Sequence, residues 1–295
     1  MEGASRTAEL MAVQRGLESS RPSGKRLFDD PFARSFVSPS WRIALSAARF
    51  APIRMGIATV YDLIGGPGPR ASAIARTRLI DDLVEELAPA ADQIVILGAG
   101  FDTRPYRLGC LSARQVFEVD HPDTQIAKRS GLAAALVAQS SGVLFVPVDF
   151  ETDDLAEALV GAGFSTEQTT LFLWEGVTQY LSAEAVTATL KVIRNLSHSE
   201  SSLLFTYVDK SVITDGSPSF PEAERWLRGA RKRGEPWSFG IAPTEIVSFL
   251  EAHGFQLIKD VSTQEAGNRY FSTVGRYEHG SGLYHVVTAR TLAVC

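Results

Sequence analysis

The stretch Gln93-Ile94-Val95-Ile96-Leu97-Gly98-Ala99-Gly100-Phe101-Asp102-Thr103-Arg104 constrains this chain more than any other. Its first residues form a short apolar run, which reads as a buried strand. The glycine pair that follows lets bare backbone N–H groups approach a ligand at the carboxyl edge of a sheet, so a nucleotide-like site is expected there. A dinucleotide fingerprint would carry a third glycine where Thr103 stands. The glycine pair alone is therefore a weak signal for that class.

Around this stretch the pattern alternates. Further strands are expected at 114–120, 143–148, 169–174 and 203–208, with helices at 125–138, 155–160 and 183–195 between them. Such alternation predicts an α/β fold with a parallel sheet covered on both faces. After a helix at 243–253, two closing strands at 255–261 and 284–291 are separated by a polar, glycine-rich stretch and read as a hairpin. Before residue 93 the chain reads as helical, at 5–18, 44–61 and 71–87, with breaks at Arg21-Pro22-Ser23-Gly24 and Gly65-Gly66-Pro67-Gly68-Pro69. The expected organisation is one domain over 1–295. It divides into a helical cap (1–90), a ligand-binding core (91–210), a cover insertion (211–241), and a closing helix and strands (242–295).

Bulk properties remove several function classes. The net charge is −5 and the longest basic run, Arg228 to Arg233, is short and reads as a solvated helix face. A nucleic-acid partner, which would need clustered Lys and Arg, is not expected. Cys110 and Cys295 cannot build a disulfide framework, and the five histidines show no ligand spacing, so no metal is expected. No apolar run approaches the ~20 residues of a membrane span, and the first residues lack a signal layout. The expectation is a cytoplasmic protein without a membrane partner; its oligomeric state is not legible.

The acidic residues give the ligand more definition. Asp120 lies 20 residues after Gly100, the spacing expected for a ribose contact. Glu118 faces the same side of its strand, and Asp120 is nearer the carboxyl end. Asp149, beside Phe150, ends the third strand and Glu175 ends the fourth. Each alone could be a cap or turn former; three at successive strand ends suit ribose hydroxyls, an adenine edge and a cationic amino group. On the helix 71–87, Leu79, Ile80, Leu83, Val84 and Leu87 form an apolar stripe, and Arg76 points to the same side. An inward arginine needs an anion, either an internal carboxylate or one on the ligand. Arg78 lies with Asp81, Asp82 and Glu85 on the wet side. A carboxylate, an ammonium and a ribose together describe S-adenosylmethionine better than a dinucleotide diphosphate.

These motifs, with Arg104-Pro105-Tyr106-Arg107-Leu108, Phe117-Glu118-Val119-Asp120-His121-Pro122, Val146-Pro147-Val148-Asp149, Trp174-Glu175-Gly176-Val177-Thr178-Gln179-Tyr180-Leu181 and Gly234-Glu235-Pro236-Trp237-Ser238-Phe239-Gly240, resemble the leucine carboxyl methyltransferase family. Within it the chain is similar to the bacterial branch that includes polyketide O-methyltransferases. The resemblance implies a Rossmann-like class I methyltransferase fold, a seven-stranded mostly parallel sheet with a reversed C-terminal hairpin, and S-adenosyl-L-methionine as cofactor. It implies that Arg76 and Gly98 hold the cofactor's amino acid end, Asp120 its ribose, Asp149 and Phe150 its adenine, and Glu175 the amino acid or ribose, with Gly100 a further cofactor-binding residue. Lys25, five residues before Asp30-Pro31, matches a cofactor-contacting lysine of the eukaryotic members, and Tyr180 a tyrosine near the substrate. Tyr207 and Trp237 are further pocket candidates, Trp237 with Trp226 and Phe239 on the cover.

The expected activity is O-methylation of a small-molecule carboxylate or hydroxyl, such as a polyketide or other secondary metabolite. No histidine stands out as a base, which favours a carboxylate, already ionised at neutral pH. A cofactor-binding protein without methyl transfer, and methylation of a protein carboxylate, are the alternatives.

Overall fold

The structure, a computed structural model, describes residues 6–66, 68–135, 142–150, 152–214 and 220–292. Helices α1 (Arg6–Ser19), α2 (Pro39–Ala47), α3 (Ala51–Gly65) and α4 (Pro69–Leu87) precede the sheet. There follow β1 (Gln93–Leu97), α5 (Arg104–Arg107), β2 (Gln115–Asp120), α6 (Pro122–Ala134), β3 (Val143–Pro147), α7 (Leu155–Gly161), β4 (Thr170–Trp174), α8 (Ala183–Leu196) and β5 (Ser202–Val208). The chain closes through α9 (Ser211–Thr214), α10 (Ala223–Lys232), α11 (Ile246–Ala252), β6 (Phe255–Ser262), α12 (Thr263–Thr273) and β7 (Tyr284–Thr291). Residues 136–138 of the helix expected after β2, and 215–219 of the expected cover, lie outside the described residues.

The seven strands form one sheet in the order β3-β2-β1-β4-β5-β7-β6. The first five are parallel, and β7 runs antiparallel to both β5 and β6. Successive side chains of a strand face opposite ways, and the core divides accordingly. Val95, Leu97, Phe172, Trp174, Leu203, Phe205 and Tyr207 pack with α7, α8 and α11, whereas Ile94, Ile96, Leu171, Leu173 and Leu204 pack with α4 and α12. Both faces are buried, so these strands read as apolar runs rather than alternations.

Three expectations change in detail. The closing strands are antiparallel neighbours as expected, but α12 joins them, not a hairpin loop. Its start is a capping box, with the Ser262 hydroxyl accepting from Glu265 N–H and the Glu265 carboxylate accepting from Ser262 N–H. Ala266, Tyr270 and Phe271 give it a buried face. The single helix expected at 44–61 is two helices, because Pro52 starts α3 and cannot continue α2. Asp81, expected on the wet side of α4, is 4% exposed, for reasons given below.

Candidate functional site

A cavity of about 1040 Å³ lies at the carboxyl ends of β1, β2 and β4, where the strand order reverses. Its floor is the glycine turn. Gly98 (φ +64°) and Gly100 (φ +45°) are left-handed. A Cβ on Gly98 would stand 2.4 Å from Val177 Cγ2, so the turns after β1 and β4 approach more closely than any other residue would permit. Asp120, ending β2, accepts from the Gly100 and His121 N–H groups. Burial raises its carboxyl above the usual range, and those two N–H groups limit the rise. Glu118 takes no part in the lining: it is fully buried, its carboxylate 2.8 Å from Lys128 Nζ, and burial pushes it up to about 7 against the pull of that lysine.

Arg76 points inward from α4, as its helical position requires. Its Nε is 2.8 Å from Glu175 Oε1, and its guanidinium lies over the Tyr284 ring at 4.8 Å from the centroid. The internal carboxylate open to it in the sequence is therefore Glu175. Glu175 Oε2 also meets Arg104 Nη1 at 2.7 Å. Arg104 holds Asp102 at 2.7 Å and Asp81 at 2.8 Å, and Arg107 meets Asp81 at 2.7 Å. These arginines, folding back from α5, are what draws Asp81 into the interior. Burial would raise Asp102, but Arg104 and then Lys128 outweigh it and hold it down to about 2. Glu175 is lowered too, burial being overcome by Arg104 and Arg76. Both acids are ionised at neutral pH.

Phe150, Tyr180 and Trp237 line the cavity with Arg76, Gly98, Gly100, Asp120 and Glu175. Three expected residues lie outside the lining. Lys25 is exposed and donates to the Val274 carbonyl at 3.1 Å. Asp149 is half-buried beside Phe150, its N–H donating to Asp153. Tyr207 is on the opposite face of β5, fully buried, its hydroxyl donating to Asp260 at 2.8 Å and its ring stacked on His285. The period of two along the strand excludes Tyr207 from the pocket, which corrects that expectation. Phe239 packs into the core against Phe249.

The cover expected at 211–241 supplies part of the roof through α10; the share taken by α1 and α3 was not legible in the sequence. Met11 and Gln14 of α1, Ile57 and Tyr61 of α3, and Arg225 and Trp226 of α10 close the cavity above the glycine turn. Met11 Sδ lies 3.3 Å from Arg76 Nη2. Thr103, standing where a third glycine would, donates to Asp30 at 2.8 Å, and Arg15 of α1 holds the same carboxylate at 2.7 Å. That side chain thus ties the N-terminal helices to the turn.

The sequence profile of the leucine carboxyl methyltransferase family matches residues 8–194. This chain belongs to the leucine carboxyl methyltransferase family. Its relatives include a protein of Frankia alni assigned as an S-adenosyl-L-methionine-dependent methyltransferase, 31% identical over 261 residues, which are 87% of this chain and 85% of the relative. A Streptomyces coelicolor protein with the same assignment is 30% identical and covers 94% of this chain and 92% of its own. The expected cofactor is the one these family members are named for. Among solved structures, a Thermobifida fusca protein assigned as a methyltransferase superposes with a TM-score of 0.59 at 19% identity, covering 94% of this chain and 98% of its own. A DUF574 family protein of Streptomyces avermitilis gives 0.56 at 15%, covering 93% and 99%. At these identities the two structures speak for the fold: the class I methyltransferase sheet with N-terminal helices.

The family's cofactor can be tested against the lining. An amino acid end needs a cation and an anion, which Arg76 and Glu175 supply from one side of the glycine turn. Ribose hydroxyls need an acceptor, and Asp120 is fixed at the turn by two N–H groups. The donor set fits.

Proposed function

We propose that this member of the family transfers a methyl group from S-adenosyl-L-methionine to an oxygen of a small molecule, a carboxylate or hydroxyl on a polyketide or other secondary metabolite. The observation that carries the reading is one cavity with charged groups at the glycine turn and a roof in which Met11, Ile57 and Trp226 stand among Gln14, Tyr61 and Arg225. Arg76 would meet the cofactor's carboxylate, Glu175 its ammonium, Asp120 its ribose and Phe150 its flat base, with Gly98 and Gly100 admitting it. Bound there, the cofactor supplies an electrophilic methyl group on a sulfonium. The chain's own part is alignment, holding reacting atoms at about 3–3.5 Å, and exclusion of water by α1, α3 and α10. Tyr180 and Trp237 would border the acceptor.

Among the described residues no histidine lines the cavity: His121 accepts from Asp123 N–H at the start of α6 and His285 pairs with Asp260. That favours an acceptor that needs no base, a carboxylate. A roofed cavity likewise favours a small acceptor over a protein chain.

Calorimetry with S-adenosylhomocysteine tests the site. Asp120→Ala and Arg76→Ala should each weaken binding about tenfold or more, the scale of a lost charge-assisted hydrogen bond of about 1.5–3 kcal/mol. Unchanged affinity in both would refute the site map. Transfer of labelled methyl from the cofactor to a panel of aromatic acids and the matching phenols tests the reaction, and transfer to phenols alone would overturn the carboxylate preference.

A further inference from the structure

α3 has one charge toward its outer side, Asp62, seven residues after Met55 and paired with Arg70 at 2.8 Å. One stripe, Ile53, Ile57, Val60 and Ile64, lines the cavity. On its solvent side Pro52, Met55, Thr59 and Leu63 are exposed, the Thr59 hydroxyl being the one polar group among these four side chains. Met55 is 67% and Leu63 72% exposed, and the preceding segment adds Ile43 at 73% and Phe50 at 56%. Large apolar side chains this open, on two successive helices and the turn between them, mark a surface that meets something apolar.

The charge around them is opposite in sign to that of the molecule. α10 packs beside the end of α3, where Arg225 Cδ would stand 3.1 Å from a Cβ on Gly66. Residues 39–65 carry Arg42, Arg49 and Arg54 against Asp62, and residues 222–235 carry Arg225, Arg228, Arg231, Lys232 and Arg233 against Glu222, Glu224 and Glu235. Arg54 is buried, so seven cations less four acids leave +3 here, in a chain of net charge −5. The basic run that reads as a solvated face in the sequence therefore borders an apolar helix.

We infer that the α2–α3 hairpin and α10 form a peripheral docking surface for a membrane bearing anionic lipid, through which an apolar acceptor reaches the cavity. Apolar side chains entering the headgroup boundary beside Arg and Lys are the two contributions such binding requires. No helix among the described residues is long and apolar enough to cross a membrane; lying on one needs no such length, so the sequence expectation, which rested on spanning, does not bear on it. A second copy of this chain fits less well. A symmetric contact would face this basic surface with itself.

Flotation with vesicles of phosphatidylcholine alone, and with about a third phosphatidylglycerol, tests the surface. The wild-type protein should float with the anionic vesicles, with binding falling as salt is raised. Met55→Asp with Leu63→Asp, and separately Arg228→Glu with Arg231→Glu, should each reduce binding about tenfold or more. Both variants should keep their affinity for S-adenosylhomocysteine, which reports an intact fold. Absence of flotation, or equal flotation of wild type and variants, overturns the inference. So does a wild-type dimer in sedimentation that Met55→Asp with Leu63→Asp dissociates, which would assign the face to a second copy. The inference rests on the acceptor entering this cavity. Loss of S-adenosylhomocysteine binding by the wild type would sink that reading, whereas retained binding without flotation sinks the docking surface alone.

Discussion

Gly98 combines a left-handed backbone with a neighbour that leaves no room for a side chain. Gly98→Ala should lower stability by about 2 kcal/mol or more, read from urea unfolding, and weaken S-adenosylhomocysteine binding with it; an unaltered midpoint would mean that the Val177 loop yields freely. The acids behave differently. Asp102 is held down to about 2, so its contribution is full above about pH 4 and is lost as the pH falls toward about 2, and Glu175, lowered too, acts in the same sense. Asp102→Asn should therefore flatten the fall in Tm between pH 4 and 2.5 in circular-dichroism melts, and parallel curves for variant and wild type would deny the pairing. At this scale the sequence was readable where a motif fixes position along the chain. Gly98, Gly100, Asp120 and Glu175 follow strands, and strands deliver their ends to one edge. It was unreadable where long side chains choose partners across space: Arg104 and Arg107 folding back onto Asp81, or Lys25 reaching Val274.

Among the elements, the strands and the helices between them were legible from periodicity, because burial on both faces makes each strand an apolar run. α12 was missed, although Ser262 and Glu265 spell its start and Ala266, Tyr270 and Phe271 its buried face. Its polar outer residues and Gly267 gave it the look of a loop. Ser262→Ala should cost about 1 kcal/mol and lower Tm by about 2–4 °C, given the protein's size. A fall well below a degree would mean that packing against α4, rather than the cap, sets where α12 begins. The roof is a subtler case. Periodicity predicts that α1 and α3 are helices but not what they cover, since an apolar stripe reads alike whether it faces a core or a cavity.

For the molecule as a whole, the division into a cap, a sheet and a closing pair of strands follows from the sequence, while the shared cavity depends on packing between distant segments. α1, α3 and α10 meet over the glycine turn, although α1 and α10 stand more than two hundred residues apart. Such long-range pairings are the slow part of folding. The strand order adds a constraint of time. β7 lies between β5 and β6, so β5 lacks its second neighbour and β6 has none until residues 284–291 have been made. Until those residues are made, the growing chain holds a parallel sheet with an open edge at β5 and an unpaired β6. A fragment of residues 1–283 should aggregate rather than stay monomeric in light scattering; a soluble monomer would show that the parallel half folds without its last strand. Any product cut short of β7 would expose that same unpaired edge, a ready template for unwanted strand pairing.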